Sequence, residues 1–197
     1  ISQGDVFRYK IPTTELSPQW TAVGFFDLTW EQGISGFGYG DNDDATLLPQ
    51  GTQSVFLRKN FTLSNTEDIQ FLILNIDYDD AFVAYINGKE SARAKIYGTA
   101  PHLNAIAQEA HEAQIYLGGT LDRFVIDNPS ELLKSGENVL SIQAHNASPT
   151  SSDFTLIPFL TMLYSKPSNE GKEPPSILSF AKATLHTNFK ISNQGET

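Results

Sequence analysis

The sequence predicts an all-β fold, an antiparallel β-sandwich with one short helix, from three observations. Aromatic residues make up 11% of the chain, including 13 Phe and 7 Tyr, and such side chains favour the half-buried surface of a strand. Short apolar segments are separated by Gly, Asn, Asp and Pro, which are typical of turns. The start and stop signals of a helix occur together in one short segment only. With 197 residues, of which 40% are hydrophobic, the chain is long enough to bury a core.

The first clear strand signal lies at residues 55–63. Apolar residues occur there at every second position, and Lys59 alone interrupts the alternation. Residues 69–76 are almost all apolar. We therefore expect a central strand at 69–76 that is covered on both faces.

A β-hairpin is predicted at residues 82–94. Asn87-Gly88 separates the apolar segment 82–86 from a return strand at 89–94. Asn-Gly is the strongest two-residue signal for a hairpin, because both central residues of the turn need positive φ.

Two further strands are predicted near the C-terminal side of the domain. Residues 138–146 alternate between apolar and polar side chains, so one face belongs to the core. Residues 155–164 form another apolar segment, interrupted by Pro158. Because proline has no N–H to donate to a ladder, we expect Pro158 at an edge or a bulge.

Helical signals are confined to residues 127–136, where Asn128 and Pro129 precede a short segment that ends at Gly136. Residues 104–116 are rich in Ala, but their apolar spacing does not suit a helix. We expect a long ordered loop there.

These patterns predict one core between two antiparallel sheets. We expect the following side chains to share it: Leu57, Phe61, Leu74, Phe82, Ala84, Ile86, Leu140 and Ile142.

The predicted sandwich module spans residues 1–164. Residues 165–175 are polar and contain three prolines, which is typical of a linker. Residues 176–197 hold one or two strand-like pieces. We expect them either to pack onto the main domain or to begin a following β module.

Charge and composition exclude several classes of partner. The formal net charge is −10, and such a surface repels nucleic acid and anionic membranes. No apolar segment reaches the ~20 residues of a membrane span. The chain has no cysteine, which excludes disulfides, thiolate metal sites and cysteine nucleophiles.

Three stretches resemble a jelly-roll module of large secreted bacterial proteins of Bacteroidetes type, in which it accompanies CotH-type and lamin-tail domains. They are residues 20–44, 75–93 and 136–159. More distantly, the chain is similar to galactose-binding-like domains, including the sugar-binding domain of family 2 glycosidases. Those share a Trp–Asp–Trp opening and an Asp-Asp hairpin that ends in Asn-Gly.

The resemblance implies a galactose-binding-like jelly roll that is secreted or displayed on a bacterial cell surface. The implied function is a non-catalytic carbohydrate-binding or adhesion module with a glycan as its partner. The alternative is a structural spacer that orients covalently attached neighbouring domains and binds no ligand. In either case we expect a monomer.

A candidate metal site lies in the acidic segment 41–44. Asp41, Asp43 and Asp44 supply hard oxygen ligands, which suit a structural Ca²⁺ ion. The spacing does not match an EF-hand loop. The alternative is a solvated acidic turn whose carboxylates bind backbone N–H groups.

Two other conspicuous groups have a structural and a functional interpretation. Residues 77–80 either hold strand ends and pair with Arg58 or Lys59, or bind sugar hydroxyls at a loop tip. Trp20 and Trp30 either pack into the sandwich or form a platform for a sugar ring. We favour the structural interpretation for both groups.

The predicted ligand-binding residues are Tyr97, His102, His111, Tyr116 and Asp79. The first four lie in the long segment after the hairpin, and binding residues collect on such loops. They would line a groove for a neutral glycan. The alternative is a loop that packs down its own aromatic side chains.

We expect no catalysis. His145, Ser151, Ser152 and Asp153 are the side-chain types of a hydrolase triad, but three of them follow one another in a tight connection. The chain has no Gly-x-Ser-x-Gly elbow and no phosphate loop.

Overall fold

Two β-sheets pack face to face in the computed structural model, which describes residues 1–165. The strands are β1 (Val6–Lys10), β2 (Glu31–Ile34), β3 (Phe37–Tyr39), β4 (Thr46–Leu47), β5 (Ser54–Leu63), β6 (Ile69–Asp79), β7 (Ala81–Ile86), β8 (Lys89–Ala94), β9 (Asp122–Ile126), β10 (Gly136–His145) and β11 (Phe154–Tyr164). Helix α1 covers Pro129–Leu132, and 3₁₀ turns lie at Pro18–Thr21 and Ile115–Leu117. Within residues 1–165, no helix is long and apolar enough to cross a membrane.

The strand order defines a six-stranded and a five-stranded sheet. The first runs β2-β1-β5-β10-β7-β8 and the second β4-β3-β11-β6-β9. Among the described residues, strand pairs are antiparallel except β3 with β4. The predicted all-β jelly-roll sandwich with one short helix is confirmed. One compact unit extends from Ile1 to Ser165, and the predicted segment 176–197 lies outside the described residues, as does the linker beyond Ser165.

The inner faces of the two sheets form the main core, as predicted. Seven of the eight expected side chains are buried, and Phe61 is partly buried against them. They come from β5, β6, β7 and β10, so each sheet contributes to one shared cluster. Strand alternation was enough to find this core, because side chains at every second position face the opposite sheet.

A second core covers the outer face of the six-stranded sheet. Along β7, Phe82 faces the main core whereas Val83 and Tyr85 belong to this outer cluster. Trp20 and Trp30 belong to this outer cluster and stack on each other, with ring centroids 6.3 Å apart. Both indole rings are buried, which confirms that they pack into the sandwich.

The predicted hairpin and helix are present. Asn87 and Gly88 have φ values of 52° and 85°, as a two-residue hairpin turn requires. Helix α1 is shorter than predicted and spans about one turn after Asn128.

Two strand predictions need correction. Phe71 in β6 is 43% exposed, so the strand is not covered on both faces, since loops cover its outer face only near Asp77. Pro158 lies in the interior strand β11 rather than at a sheet edge. It is tolerated there because β3 pairs only with Phe154–Leu156, and beyond that point the Ser35 hydroxyl donates to the Pro158 carbonyl at 3.2 Å.

Candidate metal centre and loop surface

The turn between β3 and β4 carries the acidic cluster, defined here as Asp41, Asp43 and Asp44. Two glycines allow the turn to fold tightly against β11. A Cβ at Gly38 would overlap the Phe154 carbonyl and the Asp44 carboxylate, and Gly40 has a φ of 110°. The turn therefore brings three carboxylates close to β11.

The three carboxylates of the acidic cluster converge. One oxygen from each lies within 4.8 Å of the others. Asp41 Oδ2 accepts a hydrogen bond from Thr155 Oγ1 at 2.8 Å. The other five carboxylate oxygens are buried and have no hydrogen-bond partner. Buried polar atoms normally have a partner, so this cluster could hold a metal ion.

Burial, and then mutual repulsion, raise the pKa values of two carboxyl groups in the cluster. Burial, together with Asp41, raises the pKa of Asp43 to about 6. Burial and the charges of Asp41 and Asp43 raise the pKa of Asp44 to about 7. A bound cation would offset this repulsion and replace the protons.

Two neighbouring acids, Asp77 in β6 and Asp80 just after it, have backbone partners. The Asp77 carboxylate accepts hydrogen bonds from the backbone N–H groups of Gln114 and Ile115, each at a distance of 2.8 Å. The Asp80 carboxylate accepts from the N–H groups of His111 and Ala147, at 2.9 Å and 2.7 Å. The structural interpretation of Asp77 and Asp80 is confirmed, because both hold loops in place.

The predicted pairing of these acids with Arg58 or Lys59 is wrong. Arg58 binds Asp27, and Lys59 lies 3.7 Å from Asp5. The reason is topological, since Asp77 lies on the outer face of the five-stranded sheet and Arg58 on the outer face of the six-stranded sheet.

Asp79 is a buried carboxyl group. Its side chain lies on the same face of β6 as Asp77, and the residue is only 5% exposed. Burial, then the nearby carboxylates of Asp80, Asp153 and Glu112, raise its pKa to about 9. This predicted ligand-binding residue is therefore uncharged at neutral pH and offers a glycan little surface.

The first half of the long loop covers the outer core of the six-stranded sheet. Leu103 and Ala107 are buried there. Tyr97 is 64% exposed, and its hydroxyl donates to Glu109 Oε1 at 2.8 Å. His102 Nε2 lies 2.6 Å from Glu15 Oε1.

The second half of the loop lies over the five-stranded sheet. The His111 ring stacks on Tyr78 with centroids 3.9 Å apart, and its Nε2 is 3.3 Å from Asp122 Oδ2. The Tyr116 hydroxyl donates to Glu112. Within residues 1–165, no hydrogen bond joins two of the five predicted ligand-binding side chains. The loop places Tyr97 and His102 beside the six-stranded sheet, and His111 and Tyr116 beside the five-stranded sheet.

The sequence analysis missed a buried ion pair. Arg58 is 1% exposed, and its Nε donates to Asp27 Oδ2 at 2.7 Å. The remaining guanidinium nitrogens donate to the carbonyls of Trp20 and Ala22. The sequence held one signal for this pair. Asp27, between Trp20 and Trp30, and Arg58, after the apolar residues 55–57, are charged residues within apolar segments.

The triad-like residues do not form a charge relay. His145 is fully buried, and its Nδ1 lies 2.9 Å from the Ala105 carbonyl. Burial lowers the pKa of His145 to about 4. The Ser152 hydroxyl donates to Asp153 rather than to His145.

Comparison with known proteins supports the fold but does not define a family. No protein-family model matches the chain, and no curated protein matches it. Among solved structures, β-glucuronidase 2 of Bacteroides uniformis is 15% identical with a TM-score of 0.53, over 82% of this chain and 17% of that one. A β-glucuronidase of Bifidobacterium dentium is 16% identical with a TM-score of 0.46, over 72% and 19%.

This chain therefore spans less than a fifth of the length of either β-glucuronidase. At such low identity the first likeness demonstrates a shared sandwich fold. The association with CotH-type and lamin-tail domains stays a prediction.

Proposed function

We propose that this chain is a non-catalytic glycan-binding module of a secreted or cell-surface bacterial protein, stabilised by a structural Ca²⁺ ion. The observation that carries the proposal is the acidic cluster, in which five buried carboxylate oxygens have no partner. The fold, shared with a part of a β-glucuronidase, supports a role in glycan recognition beside other domains.

Calcium suits the acidic cluster better than other ions. Ca²⁺ takes six to eight oxygen ligands in flexible geometry, whereas Mg²⁺ demands a nearly ideal octahedron. Asp41, Asp43 and Asp44 supply oxygen ligands only, from the one turn between β3 and β4. The ion would neutralise the turn and fix it against Thr155 in β11.

The glycan would bind at one of two exposed tyrosines of the long loop, which lie over different sheets. Tyr97 and Tyr116 are 64% and 38% exposed. Their hydroxyls are each bound to a glutamate, which holds the rings in place for stacking on a sugar. Because each sugar hydroxyl exchanges a bond to water for one to protein, the net gain is small. We expect a dissociation constant no tighter than about 1 μM for one site.

A spacer without a ligand is the second candidate function. It is favoured by the bonding of the predicted residues, since Tyr97, His102 and Tyr116 already have an acidic partner within the chain. In this alternative, the loop serves only to cover the sheets.

A glycan array probed with the calcium-loaded and the chelated protein separates the two functions. The module predicts binding to at least one glycan, weakened by Tyr97→Ala or Tyr116→Ala. Tyr164→Ala is the matched control, because Tyr164 is similarly exposed but lies at the end of β11. Absence of binding under both conditions would support the spacer.

A further inference from the structure

A polar pocket opens on the outer face of the six-stranded sheet, away from the long loop. Its volume is about 220 Å³. It lies where β1, β2 and β5 run side by side, since Gln32 pairs with Arg8 and Arg8 pairs with Arg58. Asn60 lies two residues beyond Arg58 on the same face of β5. The pocket is small beside the ~300–1,000 Å³ of drug-sized sites, so it suits a single sugar ring.

The charge of this pocket is opposite to that of the protein. The whole chain carries a net charge of −10. On the outer face, Arg8 and Arg58 line the pocket against Asp27 as its one acid, whereas the Nζ of Lys59 donates to the Val6 carbonyl and lies near Asp5. The excess of basic over acidic groups favours an anionic ligand.

The guanidinium groups of Arg58 and Arg8 differ in how many of their N–H donors remain available to a ligand. Each guanidinium nitrogen of Arg58 already donates a hydrogen bond, to Asp27 or to the carbonyl of Trp20 or Ala22, and the side chain is buried. Arg8 is held loosely, with 3.4 Å to Asp27 Oδ1 and 3.5 Å to the Leu28 carbonyl. Its guanidinium therefore keeps free N–H donors. Arginine presents these donors as a planar fork that matches a carboxylate or sulfate.

Two amide side chains complete the pocket. Gln32 and Asn60 both line it. Within the part of the chain that the structure describes, neither side-chain amide forms a hydrogen bond. Each offers a donor and an acceptor, which is what sugar hydroxyls require. Val6, 46% exposed, adds an apolar surface for the C–H face of a ring.

We propose that this pocket binds an acidic pyranose unit of a glycan. Arg8 binds the anionic group, a carboxylate or a sulfate ester, and Gln32 and Asn60 bind the hydroxyls. The proposal rests on the glycan-binding function above, and it names the class of glycan. It places this site on the strands, separate from the exposed tyrosines of the loop.

Isothermal titration of the whole chain with three hexasaccharides tests the proposal. The probes are a polyuronate, a sulfated galactan and a neutral glucan. We expect one or both acidic probes to bind at least tenfold more tightly than the neutral one, with or without a chelator. The preferred acidic probe identifies the anionic group.

Arg8→Met should weaken binding of the acidic probe by about tenfold or more, since it removes one charge-assisted contact. Lys10→Met is the matched control, because it removes an equal charge from the same face of β1 outside the pocket, and it should change the affinity less than threefold. Melting curves of both variants verify folding.

Equal affinity for neutral and acidic probes, or equal losses in the two variants, would overturn the proposal while leaving a glycan-binding module intact. Absence of binding to all probes, together with an array without signal, would instead overturn the glycan-binding function itself.

Discussion

Two regions of this sandwich bury charge, and they do so in opposite ways. Arg58 lies beneath the tryptophan pair with Asp27 and two backbone carbonyls as partners. The acidic cluster has like charges side by side, and a single hydrogen bond from Thr155. The first region is complete once the chain has folded, whereas the second lacks a counter-charge.

The difference explains why the first region is structural and why the second is proposed to bind a cation. A buried charge is costly unless it is paired and hydrogen-bonded. Arg58 fulfils both conditions within the chain, so it fixes the loop that carries Trp20. The acidic cluster fulfils neither condition, so it must take up protons or a cation.

Removal of the complete pair has the largest expected effect. Arg58→Met leaves the buried Asp27 without its main partner and should cost about 3–5 kcal/mol of unfolding free energy. Urea denaturation measures it. The double variant Arg58→Met/Asp27→Leu should lose less than the sum of the single losses, because the uncompensated charge is also removed. A loss below about 1 kcal/mol for Arg58→Met would contradict a structural role of the pair.

The same kind of substitution in the acidic cluster should act with opposite sign. Asp44→Asn removes a repulsive charge, so it should stabilise the chelated protein by about 1–2 kcal/mol at pH 8. It should destabilise the protein in calcium, because one ligand is lost. Glu137→Gln, at an exposed position, should change neither value. A loss of stability both with calcium and with the chelator would show that Asp44, like Arg58, stabilises the fold without a bound ion, and would contradict the contrast.

Asp79 adds a smaller, pH-dependent effect that sharpens the contrast. Its pKa is raised to about 9, so the folded chain retains a proton that the unfolded chain has released above pH ~4. Unfolding therefore releases a proton between pH ~4 and ~9, and the contribution of Asp79 to stability falls as pH rises through this window, pH 7 to 9 included. His145, with its pKa lowered to about 4, acts only below pH ~6.5, where it has the opposite slope.

Asp79→Asn should flatten the decline of stability between pH 7 and 9 in chelated protein, as measured by melting curves. An unchanged slope in this variant would assign the decline to other groups.

The sequence predicted what depends on local pattern. Alternation along 55–63 and 138–146 located the core, and Asn87-Gly88 located the hairpin. The density of acids at 41–44 marked the cluster, because three carboxylates within four residues need no tertiary information to lie close together.

The rest depends on long-range packing. Arg58 and Asp27 are separated by 31 residues, and only the fold brings them together. The raised pKa of Asp79 likewise depends on its burial and on residues distant in sequence, since Asp153 and Glu112 lie nearby in the fold. The division of Tyr97, His102, His111 and Tyr116 between the two sheets followed from the path of the loop, which has no periodic pattern.

Calcium titration of the chelated protein tests the central claim most directly. Calorimetry should detect one calcium ion per chain. The melting temperature should rise with calcium concentration, because a ligand that binds only the folded state stabilises it by about 2.7 kcal/mol when its free concentration is 100 times Kd. Asp41→Asn/Asp43→Asn should abolish both signals, and the exposed control Asp127→Asn should retain them. No binding heat and an unchanged melting curve up to millimolar calcium would contradict the account.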